Sequence, residues 1–303
     1  MDYETVATGL RFPEGPVWLS DGSVLLVEIA AGRLTRVSAE GETEMVAHCG
    51  GGPNGVAIGP DGHAYVCNNG GFTWSESGGL LMPGEQPADY QGGSIQRVDL
   101  DTGQVETLYD SCNGFRLRGP NDLVFDETGG FWFTDHGKVR ERDRDRGGLY
   151  YAKADGSSIV EAVYPLDAPN GVGLSPDGHQ LYVAETHQGR LYCWDLAGPG
   201  LIANYFGPHH RGKVLADPEG GSLFDSLAVD LAGNICVATI RNGGITVVTP
   251  QGAHHHRSFP DPLTTNICFG GKDLRTAFIT LSGTGLLVSC QWETPGLPMA
   301  FSI

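Results

Sequence analysis

One pattern constrains this chain more than any other: a short phrase recurs six times along it. Each copy reads as a polar residue, an apolar run, a tight Gly-containing turn and a second apolar run. Pro13-Glu14-Gly15 leads into PVWLSDGSVLLVE, Pro53-Asn54-Gly55 into VAIGPDGHAYVCN and Pro120-Asn121-Asp122 into LVFDETGGFWFTD. Pro169-Asn170-Gly171 leads into VGLSPDGHQLYVAE, Phe224-Asp225-Ser226 into LAVDLAGNICVAT and Thr265-Asn266-Ile267 into CFGGKDLRTAFIT. A loop follows each copy, then a third apolar run that opens on or near a glycine (GRLTRV, GSIQRV, GGLYYA, GRLYCW, GGITVV, TGLLVS), and usually a fourth. Four short strands per unit at a period of roughly 40–50 residues is the pattern of a propeller blade. The 46 glycines and 18 prolines fit many turns, because 40% of the residues are hydrophobic and a disordered chain would not carry them in regular runs. The reading is all-β: one six-bladed β-propeller domain over residues 1–303, with four antiparallel strands per blade. Closure of the ring needs an outer strand for the last blade. YETVATG at the N-terminus is the first choice for it, and PMAFSI at the C-terminus the rival.

In a propeller the first strand of each blade lines the central channel, so equivalent positions in the six first strands meet around one axis. The six lead residues are Glu14, Asn54, Asn121, Asn170, Asp225 and Asn266, and every one carries a side-chain oxygen. Asn and Asp are ordinary turn residues, but Glu is not. Two carboxylates converging on one axis repel unless a cation lies between them. Carboxylate and amide oxygens are hard ligands that suit Ca²⁺, Mg²⁺ or Mn²⁺. The ends of the second strands surround the same mouth. They contribute Glu28, Asn68, Asn69, Asp135, His136, Glu185, His187, Arg241 and Ser282, which read as a polar rim for a hydroxylated or ester-like ligand. Two insertions leave this face. The first, Gly70 to Gly92, carries Phe72, Trp74, Leu80, Leu81 and Met82 and is expected to pack over the pocket. The second, from Lys138 (KVRERDRDRGG), alternates charges and reads as a solvated loop.

With 19 Lys and Arg against 36 Asp and Glu, the formal charge is −17. Nucleic acid and anionic membrane are therefore not expected partners. The seven cysteines have no framework spacing and read as buried free thiols of a reduced compartment. No apolar run approaches the length of a membrane span, and MDYETVATGL lacks the features of a signal peptide. The expectation is a cytoplasmic protein, with homo-oligomerisation left open. His254-His255-His256 falls on an outer strand and reads as a surface feature. No Gly-x-Ser-x-Gly elbow is present.

Arg11-Phe12-Pro13-Glu14-Gly15-Pro16-Val17-Trp18, Pro120-Asn121-Asp122, Pro169-Asn170-Gly171 and the Asp225 segment, in that order, resemble the SMP-30/gluconolactonase family. The resemblance implies a six-bladed propeller with one catalytic divalent metal. Calcium is the first choice, with zinc, manganese, magnesium or iron(II) as the other candidates. It implies Glu14, Asn170 and Asp225 as ligands, Asn121 as ligand or substrate contact, and Asp225 as general base. The implied reaction opens a sugar lactone to its acid, with Arg118, His136 and His187 orienting ring hydroxyls. Hydrolysis of another ester or an organophosphate on the same site is the second reading, and a non-enzymatic propeller with a structural axial metal the third. Two departures from the family pattern touch the pocket: Leu117-Arg118-Gly119 before Pro120-Asn121-Asp122, and Phe224-Asp225-Ser226 in blade five.

Overall fold

A computed structural model describes residues 2–205, 212–218 and 222–303. Six antiparallel sheets stand in a ring, each with its first strand innermost. Blade one is Pro13–Trp18, Val24–Glu28, Arg33–Val37 and Thr43–His48. Blade two is Pro53–Ile58, Ala64–Asn68, Ser94–Val98 and Val105–Tyr109. Blade three is Pro120–Phe125, Gly130–Asp135, Gly147–Lys153 and Ile159–Leu166. Blade four is Pro169–Leu174, Gln180–Glu185, Arg190–Gly198 and Lys213–Ala216, with Leu201–Ile202 paired beside it. Blade five is Leu223–Val229, Ile235–Ile240, Gly244–Val248 and His254–Ser258. Blade six is Thr264–Gly270, Thr276–Leu281 and Leu286–Gln291, and its outer strand is Glu4–Ala7 from the other end of the chain. The N-terminal strand therefore closes the ring, as the first of the two readings expected.

The alternation of apolar residues along each strand buries both faces of every blade, because each blade is covered on both sides by its neighbours. Six apolar clusters result, one in each gap between adjacent blades. Phe125, Phe131 and Phe133 of blade three meet Tyr65 and Cys67 of blade two. Leu25 and Leu34 of blade one meet Val56 and Val66 of blade two. Trp132 and Leu149 of blade three meet Leu181 and Trp194 of blade four. All seven cysteines are free, and all but Cys268 are buried, as their positions in apolar runs implied. Among the described residues no helix is long and apolar enough to cross a membrane.

The C-terminal segment is not a blade strand, and the rival reading of PMAFSI is corrected accordingly. It runs across the ends of the first strands, on the face opposite the lead residues. Leu297 N donates to Val229 O in blade five at 3.0 Å, and Gly296 N to Leu274 O in blade six at 2.8 Å. At the far side Phe301 packs edge-on against Phe125 of blade three, and Ser20 N in blade one donates to Ile303 O at 2.7 Å. The tail thus spans from blades five and six to blades one and three and floors the channel.

Candidate metal centre and its chamber

In all six blades the pairing of first and second strands slips beside the lead residue. The slips fall at Glu14/Val17, Pro53/Val56, Pro120/Leu123, Pro169/Val172, Phe224/Leu227 and Thr264/Asn266. A β-bulge re-aims a side chain that plain alternation would send elsewhere, and here it does so six times around one axis. Small residues let the ring tighten. A Cβ on Gly55 would lie 2.5 Å from Asn121 O, and one on Gly171 would lie 2.6 Å from Leu227 N and 2.8 Å from Asp225 O. Backbone meets backbone at these points, which explains the glycine after the lead residue in blades one, two and four.

Glu14 is buried, and its Oε2 accepts 2.7 Å bonds from Gly15 N and from Asn266 Nδ2. Asn266 spends its own Oδ1 on Ile267 N at 2.7 Å, so it holds Glu14 in place. Asn170 donates through Nδ2 to Thr186 Oγ1 at 3.1 Å and accepts from Ser226 Oγ at 3.3 Å. Asp225 is the less buried of the two lead carboxylates. A third carboxylate belongs here that the sequence pattern does not single out. Asp122 occupies the slot that is glycine in blades one, two and four. It is buried, with Oδ1 bonded to Leu123 N at 2.9 Å. Burial pushes Glu14 up to about 7. Burial, and then the charge of Glu14, push Asp122 up to about 8. The same two causes raise Asp225 well above the usual carboxylate range. Meanwhile Asn121 Oδ1 is buried without a hydrogen-bond donor. Buried carboxylates short of positive charge, beside an amide oxygen short of a donor, fit a divalent cation. Among the described residues no three His, Cys, Asp or Glu side chains come together in ligating geometry. Any ion here would therefore depend on the amide oxygens as well as the carboxylates.

The mouth differs from the expected rim. Glu28, Asp135 and Glu185 turn away from the channel and cap the chain approaching the first strand. They accept from Arg11 N at 2.7 Å, Arg118 N at 2.7 Å and Asp167 N at 2.6 Å. Asn68 does the same for Gly52 N at 2.9 Å. These four are structural caps. His136 and His187 do stand at the mouth, with ring centroids 5.6 Å apart, and Arg118 is exposed beside them.

The blade-two insertion forms the hairpin Trp74–Ser77/Leu80–Pro83. It crosses blade one and reaches blades five and six. Phe72, Trp74, Leu81 and Met82 pack with Phe12 and Ile29 of blade one, Ile240 at the end of blade five's second strand and Leu263 at the approach to blade six. Leu81 N donates to Gly283 O at 2.8 Å. Phe12 is two residues before Glu14 and Leu263 three before Asn266, so the hairpin roofs that arc of the mouth and leaves the arc of blades three and four. A separate hollow of about 440 Å³ lies under the root of the insertion, among residues that include Cys49, Trp74, Asp89 and Gln96. No ring residue lines it, so it is distinct from the axial site.

The blade-three insertion is only partly the solvated loop its charges suggested. Lys138 is 1% exposed; its Nζ donates to Gly71 O at 2.5 Å and stands 4.0 Å from the Phe72 ring centroid. Val139 O accepts from Gln86 N at 2.9 Å, so both stems of the roofing hairpin are gripped from blade three.

The fold and these positions can be set against known proteins. The chain is 27% identical over 305 aligned positions to a gluconolactonase of Zymomonas mobilis, covering 92% of this chain and 78% of that one. It is 30% identical over 245 positions to lactonase drp35 of Staphylococcus saprophyticus, covering 79% and 67%. In structure it resembles a calcium-binding protein, regucalcin, from Agrobacterium tumefaciens (TM-score 0.77, 18% identity, 99% and 97% covered). It also resembles a gluconolactonase from Xanthomonas campestris (TM-score 0.73, 23% identity, 96% and 88% covered). Residues 12–283, which hold every lead residue of the ring, match the family model described as the SMP-30/gluconolactonase/LRE-like region, and the chain belongs to that family.

Proposed function

We propose that the protein is a metal-dependent hydrolase that opens a lactone to its hydroxy acid. The observation that carries this is the group of carboxylates, buried Glu14 and Asp122 with the half-buried Asp225, beside the unpartnered Asn121 Oδ1. Such a set is costly without a cation. The relatives named gluconolactonase and lactonase support the choice of a lactone as substrate. Glu14, Asn121, Asn170 and Asp225 are the residues that would hold one divalent ion. The oxygen donors, and a structural neighbour described as calcium-binding, favour calcium. Bound there, the ion would supply Lewis-acid polarisation of the lactone carbonyl.

The remaining steps belong to the chain. Asp225, the more accessible lead carboxylate, takes a proton from the attacking water as its oxygen bonds to the carbonyl carbon. When the ring C–O bond breaks, the same carboxyl returns the proton to the leaving ring oxygen. The product is a carboxylic acid, which releases its proton to solvent, and a free hydroxyl, with no serine or cysteine nucleophile. Asn266 and Thr186 hold Glu14 and Asn170 in position. The roofing hairpin and the C-terminal floor limit water to the open arc, where His136, His187 and Arg118 meet the ring substituents.

The test is calorimetric titration of chelated protein with Ca²⁺, followed by pH-stat turnover of a lactone panel. Asp225→Asn, which keeps an oxygen but loses the base, should lose about 10²–10⁴-fold in kcat. An Asp225→Asn protein with full turnover, or a wild-type protein that binds no divalent ion, would refute the assignment.

A further inference from the structure

The net charge of −17 hides a reversal of sign at the open arc of the mouth. Beside the buried Lys138, residues 139–146 hold four arginines against three acids, and Arg116 and Arg118 lie on the approach to the same blade. Arg118 is exposed; among the described residues its guanidinium closes no salt bridge, although it stands beside the Tyr90 hydroxyl and its charge acts on Asp145. Its backbone is fixed all the same: Asp135 caps its N–H at 2.7 Å, and Tyr90 Oη donates to its carbonyl at 2.6 Å. This exposed cation therefore stands on a rigid base, between the two insertions and beside His136.

The imidazoles on this arc are held neutral: His136 spends its Nδ1–H on Gly137 O at 3.4 Å, and His187 is left as the donor. Burial, and next the neighbouring His187, push His136 down to about 3. Burial, and next Arg144, lower His187. Arg144 Nη1 lies 2.9 Å from His187 Nδ1, and Nη2 lies 3.0 Å from Asp167 Oδ2. His187 Nδ1 is also 3.4 Å from Asp167 Oδ1. A guanidinium can only donate, so the shorter contact makes Nδ1 an acceptor and leaves the proton on Nε2. Asp167 is already occupied by Arg144, by Gln188 at 2.9 Å and by Arg146 at 3.7 Å. Asp167 is thus spent on its neighbours and Asp145 on Arg140, while the exposed Arg118 guanidinium and the His187 Nε2–H keep donors for a ligand.

We infer that the lactone this chamber takes carries an acidic group, a carboxylate or a phosphate, which lies against Arg118 and His187 on the arc of blades three and four while the lactone carbonyl reaches the axial ring. The inference rests on the lactonase reading and deepens it. The remote acidic surface does not cancel the local field, because charges beyond about 8 Å are largely screened at physiological salt. The acidic group must lie on this arc: the roofed arc is apolar, and the axis carries carboxylates.

The experiment compares three lactones on the metal-loaded enzyme: D-glucono-δ-lactone, its analogue with a carboxylate at C6 and its analogue with a phosphate at C6. The acidic lactones should show at least tenfold higher kcat/KM, expressed mainly in KM. That advantage should shrink several-fold between 50 and 500 mM NaCl. Arg118→Gln should bring the acidic-to-neutral ratio toward one, and Arg118→Lys should restore part of it. Whichever acidic lactone is better names the group. A neutral lactone preferred by the wild type, or a preference indifferent to salt and to Arg118, overturns the inference. If no lactone turns over, the lactonase reading falls separately. Calorimetry with the C6-carboxylate hydroxy acid against gluconate, in excess metal, then decides the anion question: tighter binding of the diacid upholds it, and equal binding overturns it.

Discussion

The close approach of backbones at the axis gives a sharp test, Gly171→Ala. The new Cβ would lie 2.6 Å from Leu227 N and 2.8 Å from Asp225 O, both main-chain atoms of the neighbouring first strand. Neither can rotate aside, so one strand must move by several tenths of an ångström, and the strand in question carries Asp225. Overpacking of this kind costs about 1–3 kcal/mol. In a chain of this length that corresponds to a Tm lower by roughly 2–5 °C. The effect on the site should be larger, because a misplacement of about 1 Å in a catalytic geometry costs on the order of 10²-fold. Gly173→Ala is the matched control two residues along the same strand. Its Cβ would meet Leu227 Cδ1 at 2.7 Å and Val229 Cγ2 at 3.1 Å, the ends of side chains that can shift. Differential scanning calorimetry and pH-stat turnover on both variants separate packing from positioning. Both should melt a few degrees lower, but only Gly171→Ala should lose most of its kcat and weaken divalent-ion binding. A Gly171→Ala protein with wild-type turnover would show that the ring does not need the contact between blades four and five, and the account of the site would fail with it.

Three single contacts give further outcomes. Asn266→Ala removes the 2.7 Å bond to Glu14 and should weaken divalent-ion affinity about 10–100-fold by calorimetry; unchanged affinity would mean that Glu14 needs no support. Burial pulls the Lys138 ammonium down to about 7 against partial compensation by Asp135 and Asp145, so an opened hairpin binds a proton that the closed one lacks between pH 7 and 10.5. Closure should strengthen as pH rises through that window and level off below it. Hydrogen exchange of residues 72–84, corrected for intrinsic rates, should show this trend, and Lys138→Met should flatten it; a wild type without the trend would refute the buried-ammonium account. Deleting residues 297–303 removes the Phe301–Phe125 contact and the Ser20–Ile303 bond, and should lower Tm by several degrees while turnover at low temperature survives. A truncation with unchanged Tm would show that the floor contributes nothing to the ring.

The repeat makes the fold legible because the same physical demand is met six times. Each first strand begins where a chain crosses the rim and must turn down the axis, and Pro followed by a polar residue and glycine serves that turn in blades one, two and four. The ring residues can be numbered because the demand falls at one position per unit. Asp122 escapes for the same reason. It stands in the glycine slot, where strand alternation sends a side chain away from its neighbour's direction, and only the bulge between Pro120 and Leu123 brings it into the electrostatic company of Glu14 and Asp225. A signal is present, since Asn121-Asp122 breaks the Asn-Gly pattern of blades two and four.

The rim shows where position stops implying role. Topology correctly puts Glu28, Asp135 and Glu185 at the lead-residue end of the channel. Whether a carboxylate at a strand end faces the mouth or folds back depends on unpaired N–H groups nearby, and a bulged strand start leaves such groups exposed at each blade. The three carboxylates satisfy them at 2.6–2.7 Å, an arrangement worth more than a solvated rim position. His136 and His187 escape this use because they sit one and two residues beyond the capping carboxylate, past the last backbone group needing a partner. Blades one, three and four therefore devote their strand-end acids to the scaffold and turn the next few residues toward the chamber. In blade three these residues include His136 and Lys138, and in blade four Thr186 and His187. Under the proposed function, selectivity would reside in the one to three residues after each cap, together with the two insertions that spring from them, while the caps and the bulged first strands keep the axial oxygens in place.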